Sequence, residues 1–133
     1  MGIFSGSRPT NLGYTAGKFA SPSLKPNSVS STVEKTDKHH IAPLAYLGNS
    51  SVVWKKIRAI VADFKGTKII TESENYLYAE FSSGMFGFVD DVEFALDAKA
   101  TLIQVRSASR LGVDDLGVNR KRIEKIREQL TSP

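Results

Sequence analysis

The sequence predicts an α+β domain: a four-stranded antiparallel sheet flanked by an N-terminal and a C-terminal helix, in the order α-β-β-β-β-α, behind an extended leader. Three observations predict it. Two segments repeat apolar residues at helical spacing, and four segments between them alternate or are β-branched. The breaks between those four are too short for a parallel crossover, which needs about a dozen residues or more, so neighbours must run antiparallel. A length of 133 residues fits one domain, divided here into a leader, 1–47, and the α+β unit, 48–133.

The leader is rich in Ser, Thr, Gly, Pro and Asn, and carries Pro9, Pro22, Pro26 and Pro43. Its apolar groups Leu12, Tyr14, Phe19, Leu24 and Val29 are more numerous than a solvated linker requires, so part of it is expected to drape over the domain. After Gly48, one of Asn49, Ser50 and Ser51 can cap a helix over about 51–65. Val53, Ile57, Ile60, Val61 and Phe64 form its apolar stripe, and Lys65-Gly66 closes it. The strands follow at Thr67–Glu72, Tyr76–Ser82, Phe88–Leu96 and Thr101–Ser109. Asp114 or Asp115 then opens the last helix, whose apolar stripe is Leu116, Ile123, Ile126 and Leu130 and whose wet side is Arg120, Lys121, Lys125 and Arg127.

Composition narrows the function classes. The chain has no cysteine, which excludes disulfides, thiolate metal sites and thiol nucleophiles. Its net charge of +4 sits mostly in the leader. Residues 1–40 hold five basic against two acidic side chains, and residues 41–133 hold thirteen against twelve. A nearly neutral domain lacks the positive face of a nucleic-acid module, so no nucleic-acid partner is expected. The amino terminus lacks the apolar run of a secretory signal, and Gly6 stands where a myristoylation pattern wants Ser or Thr. With no apolar stretch of roughly 18 to 20 residues, the expected location is cytoplasmic or stromal.

The polar residues gather on the third and fourth strands. Period-two geometry puts Phe88, Asp90, Val92, Phe94 and Leu96 on one face and Asp91 and Glu93 on the other, while Gln104, Arg106, Ala108 and Arg110 share a face opposite Ile103 and Val105. If the two strands are neighbours, carboxylates meet guanidiniums on one outward surface. Two accounts stay open: a ladder of ion pairs on a solvated face, or a polar concavity that holds a small anionic or amphipathic ligand between Arg106 and Arg110. Asp90, placed among apolar groups, must be paired or hydrogen-bonded.

Other chemistries are weaker. Asp90, Asp91, Glu93, Asp114 and Asp115 do not follow the spacing of a calcium loop, and His39-His40 has no further zinc ligands nearby, so neither a metal nor a cofactor is implied. A triad of His39, Ser107 and Asp90 lacks a nucleophile-elbow sequence. Trp54, Tyr14, Tyr46, Tyr76 and Tyr78 read as packing groups. Ser83-Gly84-Met85-Phe86-Gly87 and the basic last helix together allow a weak membrane-surface contact.

Several strings of the sequence stand out: Phe4-Ser5-Gly6-Ser7-Arg8-Pro9-Thr10-Asn11-Leu12-Gly13, Val29-Ser30-Ser31, Ile41-Ala42-Pro43-Leu44 and Glu80-Phe81. The most specific are Phe86-Gly87-Phe88-Val89-Asp90-Asp91-Val92-Glu93-Phe94 and Val105-Arg106-Ser107-Ala108-Ser109-Arg110 with Asp115-Leu116-Gly117-Val118-Asn119-Arg120. With these strings the sequence resembles the domain-of-unknown-function family numbered 1499. The resemblance implies a unit found in bacteria and plant plastids with no established activity. Where members commonly carry cysteine, before Val-Ser-Ser, this chain has Ser28. The resemblance also implies that the last motifs act as one constellation. The candidate ligand-binding set is therefore Asp90, Asp91, Glu93, Arg106, Ser107, Ser109, Arg110, Asn119 and Arg120. The expected function is a non-enzymatic binding or scaffolding module for a small ligand or protein partner. The alternatives are a small hydrolase or isomerase using Asp90 or Asp91 with Arg106, and a peripheral membrane protein.

Overall fold

The computed structural model describes residues 6–83 and 87–132. It is α+β, with an antiparallel sheet and two helices. The elements are β1 (Ser28–Ser30), β2 (Leu44–Ala45), α1 (Ser50–Asp63), β3 (Thr67–Glu72), β4 (Tyr76–Ser82), β5 (Val89–Asp97), β6 (Leu102–Ser109) and α2 (Val118–Thr131). Among the described residues the sheet has six strands instead of the expected four, in the order β1-β6-β5-β4-β3, with β2 also paired to β6. The two extra strands come from the segment read as a leader. Ser28 lies opposite Ala108 and Ser30 opposite Arg106, while Leu44 lies opposite Ile103. Strands of three and two residues are too short to display a period of two, yet together they cover the otherwise open edge of β6.

Local chemistry explains the helix ends. The Asn49 side chain accepts from the Ser51 and Val52 backbone N–H groups at 2.9 and 3.1 Å, capping α1. The second helix starts at Val118, later than the expected opening at Asp114 or Asp115, because Leu116 and Gly117 both take positive φ, 53° and 81°. Asp115 still serves the helix start, accepting from the Gly117 and Asn119 N–H groups at 2.8 and 3.3 Å. Leu116, expected in the apolar stripe, lies outside the helix and is exposed.

One sheet face is apolar and carries both helices. Leu77, Phe94 and Val105 form one row across three strands, and Ala79, Val92, Ser107 and Val29 form the next across four. Against them pack Ile57 and Val61 of α1 and Ile123, Ile126 and Leu130 of α2, in a single buried cluster. The opposite face is polar. Its rows are Tyr78, Glu93, Arg106, Ser30 and Glu80, Asp91, Ala108, Ser28. That face was expected to be outward, but Asp91 is 1% and Glu93 0% exposed, because the chain before β1 folds back over it. The Gly13 N–H donates to Glu93 Oε1 at 2.8 Å, and Arg8 Nε donates to Glu80 Oε2 at 2.7 Å.

Candidate functional site

The polar face is an internal ion ladder. Arg110 grips Asp91 with two nitrogens, Nε to Oδ2 at 2.9 Å and Nη2 to Oδ1 at 2.8 Å, and reaches Glu80 Oε2 at 2.6 Å. Arg106 Nη1 donates to Glu93 Oε2 at 3.1 Å. The Tyr76 hydroxyl donates to Glu93 Oε1 at 2.6 Å, and the Tyr78 hydroxyl donates to Asp91 Oδ1 at 2.5 Å. Burial first, then these bonds to carboxylates, raises both phenols well above their ordinary pKa. Burial opposes ionisation of Glu80, but hydrogen bonds from Arg8, Arg110 and Tyr78 outweigh it and hold its pKa at about 2. Asp91, Glu93, Arg106 and Arg110 are thus brought together as period-two geometry requires, beneath the leader.

The remaining candidates lie elsewhere, so the single constellation implied by the motifs is divided by the sheet. Asp90, Ser107, Ser109 and Asn119 belong to the helix side. Asp90 pairs with Arg122 at 2.7 Å, which meets the requirement that it be paired. Asn119 is fully buried: its Oδ1 accepts from the Ser107 hydroxyl at 2.6 Å and from Arg122 Nη1 at 2.8 Å. Its Nδ2 donates to Asp115 Oδ2 at 2.8 Å, Ser109 Oγ at 2.9 Å and the Asn27 carbonyl at 3.2 Å. This network fastens α2 to β6 and to the residue before β1. Arg120 sits apart at the surface, donating to the Lys38 and His40 carbonyls.

The combination considered for a hydrolase or isomerase, Asp90 or Asp91 beside Arg106, is not assembled. Arg106 pairs with Glu93, Asp91 is held by Arg110 and Tyr78, and Asp90 is held by Arg122 across the sheet. Nor do His39, Ser107 and Asp90 meet as a triad: the His39 ring bridges the Asp37 carboxylate and the Lys25 carbonyl at 2.8 and 2.9 Å. On α2, Arg127 turns inward to the Ala42 and Pro43 carbonyls and Arg122 to Asp90, which thins the basic outer side. Met85 and Phe86, the apolar part of the membrane reading, lie outside the described residues. No helix among the described residues is long and apolar enough to cross a membrane.

The fold also builds a feature that no local pattern in the sequence marks. At the end of the polar face, where the chain turns into β1, a cavity of about 300 Å³ has among its lining residues Lys25, Asn27, Ser28, Arg106, Ala108 and Arg110. Two of those residues hold buried polar atoms without a hydrogen-bond partner, Ser28 Oγ and Arg106 Nε. Arg106 had a signal in its alternating strand. Ser28 was marked only as the place where family members commonly carry cysteine and Lys25 by nothing, because only β1 pairing, with Ser28 opposite Ala108, carries the leader to β6. Tyr76 and Tyr78, expected as packing groups, instead bond the ladder through their hydroxyls; the signal that could have found them and Glu80 is the period-two rule, which puts all three on one face of their strand.

No match was found among curated proteins. Residues 19–130, which take in the whole sheet, α1, the cavity and all but the last residue of α2, match the family described as Protein of unknown function (DUF1499), and the chain belongs to that family.

Proposed function

We propose that the protein is a non-enzymatic binding module and that its ligand is a small molecule seated in the cavity between the turn before β1 and the end of β6. A small ligand is favoured over a protein partner because the charged sheet face lies beneath the leader, where a partner's surface does not reach it. The observation that carries the reading is a concavity lined by polar and basic residues, among them Lys25, Asn27, Ser28, Arg106 and Arg110, at the end of the ladder. The volume of about 300 Å³ stands at the lower end of ligand cavities, roughly 300–1,000 Å³.

A panel of small anionic, cationic and neutral metabolites, followed by amide NMR shifts of the full chain, tests this. Ligand-induced shifts should cluster at residues 23–30 and 106–112, and Ala108→Leu, which fills the cavity, should weaken binding by about tenfold or more. Shifts centred elsewhere, or none with any class, overturn the assignment.

A further inference from the structure

We infer that the end of the molecule formed by the turn before β1 and the loop joining β6 to α2 is a docking surface for an anionic lipid membrane. This goes beyond the cavity reading and does not depend on it. Among the described residues, five of the eight exposed large apolar side chains gather here: Leu24, 94% exposed, Leu111, 41%, Val113, 67%, Leu116, 82%, and Val118, 47%. The two segments that carry them are tied together. The Asp115 N–H donates to the Pro26 carbonyl at 3.3 Å, and Asn27 Nδ2 donates to the Gly112 carbonyl at 3.0 Å. Leu116 is strained where it stands, since its φ of 53° is a left-handed conformation that bulky residues rarely adopt. Asp114 Oδ1 holds it there by accepting the Leu116 N–H at 2.8 Å, and Asp115 Oδ1 accepts the neighbouring Gly117 N–H at 2.8 Å. Strain kept at a leucine that the fold itself leaves exposed points to a contact outside the chain.

Charge selects the partner. Around the apolar group stand Lys25, Lys38, Lys65, Arg120 and Lys121, all exposed. Lys65 lines one concavity with Leu111, Leu116 and Val118, while Lys38 and Arg120 line another with Asp114 and Gly117. Lys25 lines a third with Leu111 and Gly112, and the Lys121 side chain comes to 4.0 Å from where a Cβ on Gly117 would stand. Against these five cations stand Asp37, Asp114 and Asp115, and each of the three is turned to backbone N–H groups of its own loop. Asp90, which also borders the first concavity, is neutralised by Arg122. A bilayer with acidic headgroups meets both parts of this surface, because aliphatic side chains enter the interface while lysines stay among the headgroups. A protein partner fits it less well. Protein interfaces are depleted in Lys and draw their binding energy mainly from Trp, Tyr and Arg seated in packed pockets.

The test is sedimentation of the full chain with vesicles of phosphatidylcholine, alone or with about one-third phosphatidylserine, at about 50 and about 500 mM salt. The protein should bind the phosphatidylserine vesicles at low salt, and about tenfold more weakly at high salt or on phosphatidylcholine alone. Leu24→Ser combined with Leu116→Asn should weaken that binding about tenfold or more. The urea midpoint should not fall, because both side chains are exposed and Asn tolerates the left-handed conformation of position 116. Lys65→Gln combined with Lys121→Gln should also weaken binding about tenfold and reduce its salt dependence. Leu47→Ser changes a leucine that is likewise 94% exposed but follows β2, beside the opposite end of β6, and should leave binding as it was. No sedimentation with either vesicle overturns the inference. So does binding that the Leu24 and Leu116 double variant retains, or that Leu47→Ser weakens as much. Equal binding to both vesicles removes the role of the cations and with it the assignment to an anionic surface. If the chain ignores vesicles but self-associates in equilibrium sedimentation, and the same double variant abolishes this, the patch joins copies of the chain and the membrane reading falls. Each of these outcomes leaves the ligand-shift test of the cavity to be decided on its own.

Discussion

At the scale of single residues, the chain places three acids and two arginines on one sheet face and then closes that face with a leader that adds Arg8. Glu93 is 0% exposed and depends on Arg106, the Tyr76 hydroxyl and the Gly13 N–H. Removing one partner of a buried ion pair leaves an uncompensated charge and costs about 3–5 kcal/mol. Arg106→Met should therefore destabilise the protein by about that much, measured as a loss in urea-derived unfolding free energy. Combining it with Glu93→Gln should recover part of the loss, because a neutral amide oxygen still accepts from Tyr76 and Gly13 and no charge is stranded. A double variant as unstable as the sum of the singles would mean that the pair is not coupled.

At the scale of elements, long periodic segments were legible and short or returning ones were not. Both helices and the four long strands follow from apolar spacing, with Thr67–Glu72 and Tyr76–Ser82 at their expected bounds. The start of α2 shifted because backbone conformation at Leu116 and Gly117, not the position of the acids, decides where helical geometry can begin. β1 and β2 exist only through pairing with β6, which no local pattern encodes. The turn joining α1 to β3 shows how a break can be specific. Gly66 has φ 81°, and its carbonyl accepts from the Ser82 N–H at 2.9 Å. A Cβ at that position would stand 2.4 Å from the Ser82 carbonyl oxygen, a backbone atom that cannot swing aside. Gly66→Ala thus combines left-handed strain with a clash and should cost about 2 kcal/mol or more, seen as a lowered urea midpoint. An unchanged midpoint would show that β3 and β4 can separate there without loss.

For the whole molecule, the sheet is covered on both sides, by helices over an apolar face and by the leader over an ionic one. Alternation in β5 and β6 separates the two faces correctly in the sequence, but a polar stripe reads the same whether water or a returning chain lies above it. That is why Asp91 and Glu93 were expected outside. The ionic layer sets the pH range of stability. Glu80 is held at about 2 in the folded state, against about 4.5 when unfolded, so between those values the unfolded chain binds the extra proton and stability falls as pH drops. The tyrosines act at the other end. The phenols of Tyr76 and Tyr78 are raised by burial and by donation to Glu93 and Asp91, so above about pH 10 the unfolded chain releases protons that the folded one retains. Stability should then be level between about pH 5 and 9, decline below through Glu80 and decline above through the tyrosines. Urea unfolding across this range checks it: Glu80→Gln should flatten the acid limb, and Tyr78→Phe should flatten the alkaline limb while leaving the grip of Arg110 on Asp91 in place. Acid and alkaline limbs that persist unchanged in these variants would place the titrating groups outside the ladder.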